Sequence, residues 1–238
     1  MDNTVIQTID LVKTYPMGLH QLVALNKVNL SFVRGEFAGL VGPSGSGKTT
    51  FLNLVGTLDS PTSGQVKVMG INLEELSPLQ AAQLRKQHIG FIFQTFNLFP
   101  VYTAYENVDF PLLLLTLSSS ERRRLVMEAL EWVGLADRAN SRPAQLSGGE
   151  CQRVAIARAI VKKPSIVLAD EPTANLDAEN SYKILDIMVE LNRELRLTFI
   201  FATHDEKVIR YLHRKITLFD GKVARDERLE PGAAVTAG

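Results

Sequence analysis

Four short segments of this 238-residue chain combine residue types and spacings suited to handling phosphate. The first is Gly42, Pro43, Ser44, Gly45, Ser46, Gly47, Lys48 and Thr49, followed by Thr50. It fits the pattern G-x-x-x-x-G-K-[ST], whose glycines let backbone N–H groups curl around phosphate oxygens. The lysine supplies a point charge to the β- and γ-phosphates, and the threonine hydroxyl serves Mg²⁺. The second segment, Ile166 to Glu171, is an apolar run ending in two adjacent carboxylates. Open α/β sheets bind ligands at such strand ends. Alone it is equally a solvated strand end. Beside a Lys-Thr loop, Mg-nucleotide chemistry assigns both acids: Asp170 holds Mg²⁺ through water, and Glu171 polarises the attacking water. The third, His204, follows the apolar run Thr198 to Ala202 and reaches the same sheet edge as a γ-phosphate contact. The fourth is Leu146-Ser147-Gly148-Gly149-Glu150, where Ser147 caps a helix and two glycines leave its first amides open to an anion. A plain capping loop is the competing explanation. Two phosphate loops in one chain need a reason, and a head-to-tail dimer supplies one.

The elements that must position these groups are also legible. Short apolar runs at Phe37–Val41, Ile166–Ala169 and Thr198–Ala202 have the character of strands buried on both faces of a parallel sheet. Val5–Leu11, Leu22–Phe32 and Gln65–Val68 are rich in β-branched residues and broken by Gly or Asn, which predicts an antiparallel layer near the N-terminus. Helices are predicted over Thr50–Val55, after the Ser77-Pro78 cap, from Ser118 with Glu121 at capping-box spacing to Gly134, and after Glu150. Asp220-Gly221 reads as a late hairpin.

Composition narrows the function classes. Lys plus Arg and Asp plus Glu are both 26, giving no net charge, so a sequence-independent nucleic-acid grip is not favoured. One cysteine cannot form an internal disulfide or a Cys-based zinc site, and the opening residues lack a signal-peptide pattern, so a cytosolic chain is expected. The longest uncharged apolar stretch, Phe110 to Leu117, is far short of the roughly 20 residues that span a bilayer. Membrane contact is therefore expected only through a partner.

On these motifs the chain resembles the ATP-binding subunit of ABC transporters over essentially its whole length. The matching positions are a Walker A loop at Gly42–Thr49, a Q-loop at Gln94, a signature at Leu146–Glu150, a Walker B strand at Ile166–Asp170, a catalytic glutamate at Glu171, a D-loop around Asn175-Leu176-Asp177 and a switch histidine at His204. The stretches KTYPMG, LNLVGTLDSPTSGQV and FNLFPVYTAYENVDFPLLL are similar to the lipoprotein-release, macrolide-export and cell-division branch. The resemblance implies an α/β fold with a RecA-like P-loop NTPase core, an N-terminal antiparallel β layer and an inserted α-helical subdomain. Residues 1–94 and 146–225 would form the core of a single domain, 95–145 the insert and 226–238 a flexible tail. The implied ligands are ATP and Mg²⁺, with Thr49, Gln94 and Asp170 toward the metal. Lys48, Gln94, Glu171 and His204 are implied in catalysis, and Tyr15 stacks on adenine through its ring, with its hydroxyl dispensable. Two copies would pair head to tail, each ATP lying between Lys48 of one and Ser147, Gly148, Gly149 and Glu150 of the other. A transmembrane permease would complete the assembly at the cytoplasmic face of the cell membrane, exporting or extracting a lipoprotein, macrolide or peptide.

Two other classes are open at this point. A DNA-repair or chromosome-organising ATPase would carry a long coiled coil between Gln94 and the signature; here no sustained heptads fill that interval. A non-transporting ATPase that regulates a membrane scaffold or cell-wall hydrolase has the same motifs. Cys151 stands where relatives usually carry Gln, and a small buried residue is expected there. Of the apolar residues Phe96, Leu98, Phe99, Val101, Tyr102 and Tyr105, at least half are expected in a subdomain core and the rest in an exposed patch that meets the partner.

Overall fold

The computed structural model describes residues 3–18 and 20–229. In chain order its strands are β1 (Thr4–Met17), β2 (His20–Val33), β3 (Phe37–Val41), β4 (Ser63–Val68), β5 (Ile71–Asn72), β6 (Ile89–Ile92), β7 (Ile166–Asp170), β8 (Thr198–Thr203), β9 (Arg214–Phe219) and β10 (Lys222–Arg228). The helices are α1 (Lys48–Val55), α2 (Pro78–His88), α3 (Ala104–Asp109), α4 (Ser119–Trp132), α5 (Gly148–Ile160), α6 (Ala178–Leu195) and α7 (Glu206–Ile209). A six-stranded sheet runs β10-β9-β3-β8-β7-β6, parallel except for β10, and an antiparallel sheet runs β2-β1-β4-β5. Both sheets stand where the sequence placed them, with β5 and β6 added as edge strands that the sequence reading does not predict.

Alternation along the parallel strands divides the core in two. Phe37, Val167, Phe199 and Phe201 face the helical side, while Ala38, Leu40, Leu168 and Ile200 face α1 and the antiparallel sheet. All eight are at most 1% exposed. Each large side chain among them contributes roughly 1.5–3 kcal/mol of burial. Phe37 and Phe201 meet with ring centroids 4.8 Å apart at 57°, a favourable tilted geometry. This rigid sheet fixes where Val41, Asp170 and Thr203 end, and those three ends carry the chemistry.

The insert is helical, with α3 and α4 each opened by a reciprocal capping box, Thr103 with Glu106 and Ser118 with Glu121. It has no separate core. Val108, Val126 and Leu130 join the same cluster as Val154 and Ile156 of α5 and Phe199 of the sheet. One boundary differs from expectation. Residues 226–228, assigned to a flexible tail by sequence, complete β10: Asp226 pairs with Ile216 and its carboxylate takes two bonds from Arg214, at 2.8 and 2.7 Å. The rest of the expected tail, beyond Leu229, lies outside the described residues.

Candidate active site

The phosphate loop leaves β3 at Val41 and enters α1 at Lys48. Gly47, the residue before the helix, has φ 101°, and a Cβ there would sit 2.5 Å from the Ala24 carbonyl oxygen. Only glycine lets the chain turn at this spot. Lys48 is buried, and its Nζ donates to the carbonyls of Gly42 (2.7 Å) and Pro43 (3.0 Å), so the ammonium is folded back over the loop. The buried Ser46 hydroxyl has no hydrogen-bond partner among the described residues. A buried charge on a carbonyl cradle and an orphan hydroxyl beside a helix N-terminus are a fit for phosphate oxygens.

Thr49, the second residue of α1, donates to Asp170 Oδ1 at 3.1 Å, joining the loop to the end of β7. Burial pushes the Asp170 carboxyl above its ordinary value, the adjacent Glu171 adds to this, and the Thr49 bond opposes both. A hydroxyl and a desolvated carboxylate side by side are hard oxygen donors of the kind Mg²⁺ takes, and a divalent charge would remove the penalty that burial places on Asp170.

Glu171 follows with φ 45°, a left-handed conformation uncommon for a residue with a side chain. Its N–H donates to Ala202 O at 2.9 Å, and Thr203 Oγ1 donates to its Oε2 at 3.0 Å. Its Oε1 lies 2.7 Å from His204 Nδ1. Backbone strain of about 1–3 kcal/mol is thus held by β8 on both the main chain and the carboxylate. Thr203 was not anticipated from sequence, since its role comes only from β7 and β8 being neighbours.

Gln94 lies two residues past β6, exposed, and its carbonyl accepts a bond from Asn175 Nδ2 at 2.7 Å. Among the described residues no hydrogen bond joins its side chain to Thr49 or Asp170. The next residues, Phe96 and Asn97, both have positive φ, and their carbonyls are gripped by Arg158 of α5 at 2.6 and 2.5 Å. Arg158 was likewise not anticipated. Further along, the buried Asn107 pins the loop before α3, bonding Phe99 N–H and the carbonyls of Phe99, Tyr102 and Thr103. Phe96, Leu98 and Tyr105 are half-buried, whereas Phe99, Val101 and Tyr102 are exposed. Phe99 lines a groove together with Phe91, Phe93, Phe110 and Lys162.

At the other end of the insert, Ser147 caps α5 in a reciprocal box. Its Oγ accepts from Glu150 N–H at 3.2 Å, and its own N–H donates to Glu150 Oε2 at 2.7 Å. The exchange leaves the Gly148 and Gly149 amides of the first turn without an intrahelical acceptor. A Cβ on Gly149 would lie 2.5 Å from Asn180 Oδ1, so any larger residue here would have to displace the Asn180 side chain. Among the described residues no hydrogen bond or ion pair joins Ser147–Glu150 to Gly42–Thr49. Cys151 is buried, with Sγ 3.6 Å from Pro143 O, and burial raises its thiol.

Tyr15, near the end of β1, departs from the ring-only expectation. Its hydroxyl donates to Asp59 Oδ2 at 2.8 Å.

A phosphate loop and two acids at the carboxyl ends of a parallel sheet define a P-loop nucleoside triphosphatase. The sequence pattern of the family described as "ABC transporter" matches residues 25–174. The lipoprotein-releasing system ATP-binding protein LolD of Legionella pneumophila is 42% identical over 94% of this chain and 98% of its own length. The macrolide export ATP-binding/permease protein MacB of Rhodopirellula baltica is 46% identical over 94% of this chain, which spans 33% of that relative. Among solved structures, the ATP-binding cassette MJ0796 of Methanocaldococcus jannaschii, a dimer in a post-hydrolysis state bound to ADP and Pi, superposes with a TM-score of 0.87. It shares 44% identity over 94% of this chain and 99% of that one. The chain belongs to the ABC transporter family, as its ATP-binding and ATP-hydrolysing subunit.

Proposed function

We propose that two copies of this chain pair head to tail and bury two ATP molecules between the Gly42–Thr49 loop of one copy and Ser147–Gly149 of the other. The observation that supports this is the Ser147–Glu150 loop. It is a capped helix start with free amides, and among the described residues no hydrogen bond or ion pair joins it to the phosphate loop of its own chain. A second copy provides what one chain lacks, and the MJ0796 cassette is described as dimeric with ADP and Pi.

Within such a site the residues divide the work. Lys48 and the loop amides hold the β- and γ-phosphates, and Tyr15 and Thr50 flank the nucleotide. Thr49 and Asp170 would hold Mg²⁺, with Gln94 as a further oxygen donor toward it. When bound, the ion neutralises phosphate charge and orients the terminal phosphoryl group. Glu171 accepts a proton from the attacking water, while His204 moves from the carboxylate to the γ-phosphate. Hydrolysis then removes the link between the two copies, and the opening motion is the output. The exposed aromatic patch around Phe99 and Tyr102 passes that motion to a transmembrane permease at the cytoplasmic face, which exports or extracts a substrate of the lipoprotein, macrolide or peptide type. No helix among the described residues is long and apolar enough to cross a membrane, so a partner must supply the passage.

Mixing tests the composite site. Lys48→Ala and Ser147→Arg should each be inactive alone. In an equimolar mixture, half of the dimers are mixed and each of these has one site with both parts intact, so about a quarter of the wild-type ATPase should return. Absence of any recovery would rule out sites shared between two chains. Pull-down of tagged protein from detergent-solubilised membranes identifies the partner: a permease supports transport, and a small anchor that activates hydrolases supports regulation instead.

A further inference from the structure

We propose that Asp59 is a positioning residue for nucleotide binding, which acts by locking the Tyr15 ring in place before the base arrives. The proposal rests on the reading of Tyr15 as the base-stacking residue.

Asp59 sits in the turn after α1, and its N–H, with that of Leu58, donates to Asn53 O of the helix itself, at 3.3 and 2.8 Å. The turn is therefore part of the same rigid unit as the phosphate loop. Both carboxylate oxygens are used. Oδ2 accepts the Tyr15 hydroxyl at 2.8 Å, and Oδ1 accepts Lys13 Nζ at 2.7 Å and Ser60 N–H at 2.7 Å. Lys13 also donates to Ser60 O at 2.8 Å, and its ammonium stands over the Tyr15 ring, 4.8 Å from the centroid.

Protonation states suit a permanent clamp. Burial works to raise the Asp59 carboxyl, but the bonds from Lys13, Tyr15 and Ser60 outweigh it and hold the group below its usual range. The Tyr15 phenol is raised, by burial first and then by Asp59, while Thr50 of α1 acts in the opposite sense. At neutral pH the carboxylate is thus always the acceptor and the phenol always the donor.

The physical consequence is a reduced entropic cost of binding. A tyrosine on the end of a two-stranded extension has ring and backbone freedom to lose when a base stacks on it. Tethering the hydroxyl to the turn of α1 removes that freedom beforehand, and sets the ring's distance from the phosphate loop. A stacking residue without a tether would bind triphosphate equally well but hold the base less tightly.

The test separates base from phosphate. Affinities of the full chain for MgADP and for Mg-pyrophosphate are measured by titration calorimetry, with steady-state ATPase alongside. Tyr15→Phe, which deletes only the tethered oxygen, and Asp59→Ala should each weaken ADP by about three- to tenfold, the cost of immobilising one side chain on binding. Pyrophosphate affinity should not change, and KM for ATP should rise with kcat held. Asp59→Ala added to Tyr15→Phe should cost little more, because both remove the same link. If Tyr15→Ala weakens ADP while Tyr15→Phe and Asp59→Ala do not, the tether is irrelevant and the proposal fails, with base stacking intact. If Tyr15→Ala leaves ADP binding unchanged, the stacking reading fails and the proposal with it. Equal loss of ADP and pyrophosphate in Asp59→Ala would also overturn it, since the turn would then act on the phosphate loop. Should Asp59→Ala fold poorly, Tyr15→Phe alone decides.

Discussion

The Glu171 carboxylate meets the His204 imidazole at 2.7 Å while Thr203 holds its other oxygen at 3.0 Å. One oxygen is committed to the buried strand, the other to a ring whose side chain is 66% exposed. Thr203 anchors the carboxylate inside the fold, and His204 meets it at the surface.

Replacing Glu171 by Gln keeps the shape and the Thr203 bond but removes the proton acceptor. Turnover should fall by about 10²- to 10⁴-fold, with nucleotide affinity retained. An ATP-bound dimer should then accumulate on size-exclusion chromatography in MgATP. A monomer that hydrolyses ATP at the wild-type rate would remove Glu171 from catalysis.

Thr203 carries two bonds, to Glu171 and from the Asp205 N–H at 3.0 Å, and is fully buried. Thr203→Val should cost about 1–3 kcal/mol in chemical denaturation, because the Asp205 amide is left without its acceptor. It should also lower kcat by roughly tenfold with KM unchanged. Thr203→Ser should recover both, and kcat unaffected in the valine variant would show that Glu171 does not need this support.

Lys162 lies in the groove beside the insert, its Nζ donating to Arg85 O at 2.6 Å, with its pKa lowered to about 8 by burial and then by Arg85. The unfolded chain binds this proton up to about 10.4. Between those values the unfolded state binds more protons than the folded one, so stability rises with pH across that window. Lys162→Met should therefore be stabilising relative to wild type at pH 7, and the gain should shrink toward pH 10. A difference in melting temperature that is constant with pH would mean the folded amine keeps its ordinary affinity for protons.

Val101 is 71% exposed at the edge of the aromatic patch, while Val108 of α3 is fully buried. Val101→Glu should leave stability within about 0.5 kcal/mol and ATP-driven dimerisation intact, yet abolish stimulation of ATPase by the membrane partner. Val108→Glu should lose several kcal/mol and fail in dimerisation too. Normal partner stimulation in Val101→Glu would place the docking surface elsewhere.

What could be read from the sequence was what is local. The Gly42–Thr49 loop, the Ser147/Glu150 and Ser118/Glu121 boxes and the apolar β3, β7 and β8 all declare themselves within a few residues. Asp59 with Tyr15, Thr203 with Glu171 and Arg158 with Phe96 are 44, 32 and 62 positions apart, and no local pattern announces such pairs. The sequence reading predicts no helix at α6, the longest among the described residues, although Ile184, Leu185, Met188 and Leu191 fall on one face and all are buried. β6 was missed because a four-residue run containing Gly90 carries little strand signal. That glycine is needed where a Cβ would strike the Ala159 backbone.

Helix α5 has a consequence for anyone exchanging parts between relatives. It opens with the signature residues, supplies Val154, Ile156 and Ile160 to the cluster that also seats α3 and α4, and grips the start of the insert through Arg158. Residues 95–145 are therefore a module in the chain's topology but not in its mechanics. A chimera that transplants them alone would set foreign side chains against a native wall, and Arg158 would have to meet the main-chain carbonyls at 96 and 97 of a foreign loop. A transferable cartridge has to run at least from 94 to 160, and under the proposed head-to-tail pairing it brings Ser147–Gly149 of the composite ATP site along with the exposed aromatic patch.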